Sequence, residues 1–215
     1  MSSVLNFLVD KLYIIPGIVI AISVHEFGHA KAAQLCGDRT AEYMGRVSLD
    51  PRAHIDIVGL LMLFLVGFGW GKPVVVNPSN FRSRRRDSIL VGIAGVTMDL
   101  IVALVFGLLL KILVSAVPSI LTTSFGHTIF MVFYYVIVIN ISLMLFNLLP
   151  VPPLDGFNVF TEIFHLENTQ FHHFVYRNSM TILLVLIILG VPGMLLSRPL
   201  YAIVTFITDT IFHIF

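Results

Sequence analysis

The stretch from Ser88 to Leu110, SILVGIAGVTMDLIVALVFGLLL, holds one charge, Asp99. That is the length of a helix crossing the hydrocarbon core of a bilayer, which takes about 20 apolar residues. Comparable stretches run over about 12–35, 128–149, 179–196 and 199–215. Backbone polar groups in lipid must be satisfied within the segment itself, so stretches of this kind become helices. Composition agrees, with 57% hydrophobic and only 12% charged residues, against roughly 25% charged in soluble domains. The 13 Lys+Arg and 12 Asp+Glu leave a net charge of +1, which gives no basic field for nucleic acid. A single cysteine, Cys36, excludes an internal disulfide and a Cys-rich metal site. The N-terminus lacks the positive start and the cleavage site of a secretory signal, so the first apolar run is expected to be retained. These features predict an all-α polytopic protein of a cell membrane, one membrane-embedded domain over 1–215 with the lipid bilayer as its surroundings.

One apolar stretch, Ile57 to Trp70, is too short for a full span. Arg39, Arg46 and Arg52 precede it; Arg82, Arg84, Arg85 and Arg86 follow it. Excess Lys/Arg in short loops marks the cytoplasmic side. If both clusters lie on that side, the segment over about 57–73 enters and leaves through one face, as a re-entrant element whose exit bend is Gly67–Pro73; the alternative is a true span with one arginine cluster outside. Val74-Val75-Val76 before Asn77-Pro78 reads as a short strand closed by a turn. Residues 155–177 read as a cytoplasmic loop or surface helix.

The sharpest chemical feature lies in the first span, where His25-Glu26-Phe27-Gly28-His29 forms an H-E-x-x-H. His25 and His29 are about 400° apart around a helix axis, one turn apart on the same face. Two neutral imidazoles so placed can both reach one Zn²⁺, and Glu26 lies beside them as a general base for metal-assisted hydrolysis. Ionisable groups inside a span cost free energy, which marks them as functional. Zinc needs a third protein ligand. Asp155 is the best candidate, because Pro150, Pro152 and Pro153 break the third span just before it and free it to point inward. Glu162 and Glu167 are the rival third ligands, if the loop folds back.

The H-E-x-x-H in an apolar helix, followed far downstream by Asn147-x-x-Pro150-x-x-Pro153-Leu154-Asp155-Gly156, resembles the site-2 proteases, which are intramembrane zinc metalloproteases. Leu49-Asp50-Pro51-Arg52-Ala53-His54-Ile55-Asp56 and Phe68-Gly69-Trp70-Gly71-Lys72-Pro73 are similar to the compact bacterial and archaeal branch, which lacks PDZ and CBS domains. The resemblance implies a catalytic core of three helices, joined here by one or two C-terminal membrane helices, the re-entrant segment and the short β element. It implies one zinc per chain held by His25, His29 and Asp155, with Glu26 as general base and Asn147 positioning the substrate or its developing oxyanion. It also implies a membrane-protein helix as substrate, and the arginine clusters put the active site towards the cytoplasm. The second span departs from the family pattern: Ala94-Gly95-Val96-Thr97-Met98-Asp99 stands where Ala-Gly-Pro, a small pair and Asn are usual. Asp99 reads first as a structural helix contact, with a place behind the metal ligands as the alternative. His54 is a candidate to line the cavity. The rival functional readings are a membrane metal carrier and a catalytically silent relative that holds a partner helix.

Overall fold

The structure, a computed structural model, describes residues 2–66, 69–167 and 169–214. Helix α1 (Ser2–Cys36) ends where the amide of Gly37 bonds Gln34 O at 3.2 Å and that of Asp38 bonds Ala33 O at 2.9 Å, the paired closure of a Schellman motif. Asp38 is fully buried and accepts from the Asn77 amide at 2.7 Å, Asn80 Nδ2 at 2.8 Å and the Thr40 hydroxyl at 2.6 Å. This one carboxylate pins the loop entering the second long helix to the end of the first. Two short helices follow, α2 (Thr40–Tyr43) and α3 (Pro51–His54). In α3 Asp50 caps the Arg52 amide and Pro51 takes the first turn, where its missing N–H costs nothing.

Helix α4 (Ile57–Val66) has ten residues, about 15 Å of rise, half the thickness of a hydrocarbon core. The chain leaves and returns at one place: Ile55 and Gly71 form an isolated antiparallel bridge, and the Lys72 amide donates to His54 O at 2.7 Å. Gly67 and Phe68, the first residues of the expected exit bend, lie outside the described residues. The short strand expected at Val74–Val76 is not formed. Among the described residues that single bridge is the only β pairing. A run of valines favours strand only where a neighbouring strand receives it, and here the Val74 amide donates to Glu26 Oε2 at 2.8 Å instead.

Helices α5 (Arg84–Ala116) and α6 (Ser124–Asn147) pack with α1 as the expected three-helix core. Lipid supplies no hydrophobic drive between helices, so small residues that permit close approach carry such contacts; α1 buries Ala21, Gly28, Ala30 and Ala33. Helix α6 stops at Asn147, before Pro150, and α7 (Asp155–Ile163) starts on Asp155. Arg85 donates to Glu162 O at 3.0 Å and Ile163 O at 2.8 Å, satisfying the last carbonyls of α7 with a cation and docking that helix on α5. Then come α8 (Gln170–Arg177), α9 (Ser179–Ile188) and α10 (Val191–Thr205), which runs into a π-turn over Phe206–Ile211.

Leu12–Cys36, Arg84–Ala116, Ser124–Asn147 and Val191–Ile211 are long and apolar enough to cross a membrane; a fifth is counted only if α8 and α9, bent by 64°, are one span. The protein is thus a multi-pass membrane protein. The boundary between the last two apolar stretches differs from the sequence reading, which divided them at 197–199 beside Pro199. Pro199 sits inside α10, and the break falls at Gly190, whose φ is +71°, with Pro192 opening the next helix. A glycine in the left-handed region followed by proline in a first turn stops one helix and starts another. The chain finishes at the far end of α5, where Lys111 Nζ donates to His213 O at 3.0 Å. Val204 and Ile207 complete a core with Leu110, Ile137 and Ile141.

Candidate metal centre and active site

One face of α1 meets one stripe of α5. His25 and His29 are buried, as are Val91, Gly95 and Asp99, spaced four apart along α5. The helices run antiparallel, so His29 meets Val91 and His25 meets Asp99. His29 Nδ1 lies 2.8 Å from Val91 O, and His25 Nδ1 lies 2.8 Å from Asp99 Oδ2. A carbonyl oxygen can only accept, so His29 carries its proton on Nδ1; the Asp99 carboxylate holds His25 the same way. Both Nε2 atoms are left with lone pairs, 3.1 Å from each other.

Gly95 makes this possible. A Cβ there would stand 2.5 Å from His29 Nε2, 2.7 Å from His25 Cε1 and 2.8 Å from His25 Nε2, so only glycine lets the α5 backbone pass beneath both rings.

Asp155 arrives from α7. Its Oδ2 lies 3.2 Å from His25 Nε2 and 3.1 Å from His29 Nε2. Among the described residues these three form the one His/Asp group whose donor atoms converge. Four-coordinate zinc with bonds of 2.0–2.1 Å places its ligand atoms about 3.3 Å apart; the edges here are 3.1, 3.1 and 3.2 Å. Two lone pairs and a carboxylate oxygen at such distances repel one another unless a cation sits among them. The residues therefore fit zinc, with two imidazoles and one carboxylate as ligands.

Glu162 and Glu167, the rival third ligands, do not join this group. Burial and a hydrogen bond shared with Glu167 push the Glu162 carboxyl from 4.5 up to about 7, against the pull of Ser88 and Arg84. A carboxyl whose folded value is raised favours the fold while protonated, and that contribution fades as pH rises from about 4.5 through 7. Glu162→Gln is accordingly expected to flatten the pH dependence of the melting temperature over that interval and to raise it at pH 8. Thermal melts of both forms across pH 4–8 check this.

Glu26 is half-buried, and the Val74 amide at its Oε2 fixes its orientation. Together with His25 and Asn147 it lines a cavity of about 950 Å³ whose other walls are chiefly apolar, including Ile22, Phe64, Trp70, Leu143 and Leu196. The Asn147 Nδ2 currently donates to Leu143 O in its own helix at 3.1 Å. His54 is elsewhere. It is fully buried, its Nε2 lies 2.8 Å from Ser48 O and its carbonyl receives Lys72, so it braces the base of the α4 hairpin rather than lining the cavity. The sequence gives Gly95, the Val91 carbonyl and the Val74 amide no role at the site. The stripe at 91, 95 and 99, on the same helical period as the histidines, is the signal that could have found the first two.

The segment 111–188, which contains Asn147 and Asp155, matches the model of Peptidase family M50. A Bacillus subtilis (strain 168) protein named "Putative zinc metalloprotease YwhC" is 36% identical over 151 residues, 70% of this chain and 68% of that protein. "Putative zinc metalloprotease Rip2" of Mycobacterium tuberculosis (strain ATCC 25618 / H37Rv) is 31% identical over 150 residues, 67% of this chain and 54% of its own length. Its namesake in Mycolicibacterium smegmatis (strain ATCC 700084 / mc(2)155) is 30% identical over 155 residues, 68% of this chain and 55% of its own. The chain thus spans about half the length of the Rip2 proteins it matches. No solved structure gives a significant match. Helices fit to cross a membrane, a converging His/His/Asp trio and kinship with zinc metalloproteases lead to one assignment: the chain belongs to peptidase family M50, the site-2 protease family of intramembrane zinc proteases.

Proposed function

We propose that this chain hydrolyses peptide bonds in or near membrane-spanning segments of other proteins, with His25, His29 and Asp155 holding one zinc ion, Glu26 as general base and Asn147 as a substrate-positioning amide. The observation that carries the reading is the near-equilateral triangle of His25 Nε2, His29 Nε2 and Asp155 Oδ2. Bound there, zinc supplies Lewis acidity, polarising the scissile carbonyl and easing deprotonation of water. The chain's own groups do the rest. Glu26, held by the Val74 amide, accepts the proton of the attacking water and passes it to the leaving amine. Asn147 offers its amide to the carbonyl oxygen by exchanging the bond to Leu143 O. The apolar cavity walls receive a membrane helix and limit the water that reaches the peptide bond. A helix hides its carbonyls in i→i−4 bonds, so the substrate unwinds locally before it is cut.

The site lies between the middle of the membrane and the face at which α1 ends. His29 and His25 precede the end of α1 by seven and eleven residues, roughly 10 and 16 Å. Arg39, Arg46 and Arg52 and the Arg82–Arg86 cluster lie between the end of α1 and the first turn of α5, at that same end, supporting a site that faces the cytoplasm. All of 1–215 then forms one protease domain.

The test is metal dependence. Full-length protein in proteoliposomes with a panel of single-span peptides is expected to cut at least one, to stop when zinc is chelated and to resume when zinc is restored. His29→Ala is expected to lose zinc and cleavage together. Zinc flux across the vesicle membrane without any cleavage would favour a metal carrier and overturn the proposal.

A further inference from the structure

We infer that Asp99 is a positioning residue for the metal site: it locks His25 in the ligating tautomer and supplies a buried negative charge that makes the grip on a divalent cation tight. This rests on His25, His29 and Asp155 being ligands, and on four observations of this chain.

The contact is direct, Asp99 Oδ2 to His25 Nδ1 at 2.8 Å, and it joins helices 74 residues apart in sequence. The carboxylate is fully buried inside a span, its second oxygen has no hydrogen-bond partner, and among the described residues no lysine or arginine pairs with it. An ionised carboxylate so placed is expensive. A polar side chain buried in a span does not need that charge: α6 buries the uncharged Asn140, whose Nδ2 bonds Val136 O in its own helix at 2.8 Å. The two histidines are also supported unequally, His29 by the neutral Val91 carbonyl and His25 by a carboxylate. A carboxylate behind a ligating imidazole raises the basicity of the ligand nitrogen and fixes the ring. Finally, two carboxylates meet the imidazole pair, Asp99 behind His25 and Asp155 beside both Nε2 atoms, an arrangement that suits a divalent cation among them.

His25 is therefore the anchoring imidazole and His29 the weaker one. The experiment is zinc competition against a chelating indicator, on full-length protein in detergent, for the parent, Asp99→Asn and Asp99→Ala, with the melting temperature of each metal-free form measured alongside. Asn keeps the size and an acceptor oxygen but removes the charge. It is expected to bind zinc 10–100-fold more weakly than the parent with a metal-free melting temperature no lower than the parent's, and Ala to bind more weakly still. If Asp99 merely tethered two helices, the substitutions would lower the metal-free melting temperature and leave zinc affinity within about twofold of the parent; that result overturns the inference. Parent protein that binds no zinc refutes the ligand assignment instead. Should Asp99→Ala fail to fold, the isosteric Asn form alone decides the matter.

Discussion

Glu26→Gln is expected to keep one zinc per chain and to lower the cleavage rate by about 10²–10⁴-fold, the usual contribution of a positioned general base. Glutamine has the same shape and retains an acceptor oxygen for the Val74 amide, which lies 2.8 Å from Glu26 Oε2. The loop after the α4 hairpin should therefore stay docked and the fold should not change. Glu26 is not one of the three converging donors, so metal content should not move either. What disappears is the ability to take a proton. Elemental analysis beside a cleavage assay reads both quantities from one preparation. A carrier would respond differently, changing metal flux or affinity while showing no cleavage in either form. Loss of zinc from the Gln form would place Glu26 among the ligands and contradict its assignment as a base.

The second large effect is expected at a residue with no functional group. Gly95→Ala puts a methyl within 2.8 Å of three ring atoms of His25 and His29. The two helices approach closely along this whole seam, since a Cβ at Gly28 of α1 would likewise stand 2.8 Å from Ala94 O and 2.9 Å from Met98 Cγ of α5. The rings must rotate out, and the triangle of donor atoms opens. Zinc affinity is expected to fall on the order of 100-fold or more, as for loss of a ligand or its support, and cleavage with it. Gly193→Ala is the control, since a Cβ there meets nothing within 4 Å, and its zinc affinity should equal that of the parent. Unchanged zinc binding in the Gly95→Ala form would mean that the rings are not held as described.

These two residues also show what a sequence does and does not reveal about such a site. His25, Glu26 and His29 were legible because helical periodicity alone puts two imidazoles on one face, and Asp155 because three prolines end the helix before it. The span pattern was legible for the same reason, since length and apolarity decide what can cross lipid. Gly95 and Asp99 gained their meaning from the antiparallel register of α1 against α5, which no local pattern encodes. An acid in a span announces that it matters but not what it touches. The division of the last two stretches at 197–199 followed the polar Ser197-Arg198, whereas the glycine–proline pair at Gly190 and Pro192 carries the backbone geometry that turns the chain. Val74–Val76 misled because β propensity presumes a neighbouring strand, and here the Val74 amide is bound to a carboxylate from α1.

The central claim is that one zinc ion is gripped by two imidazoles of α1 and the carboxylate of α7. Zinc-edge X-ray absorption on purified protein never exposed to chelator tests it most directly. The account predicts one zinc per chain with only nitrogen and oxygen donors at about 2.0–2.1 Å, two of them imidazoles, and loss of that signal in Asp155→Ala. No stoichiometric zinc, a sulfur donor near 2.3 Å, or an unchanged spectrum in Asp155→Ala would contradict it.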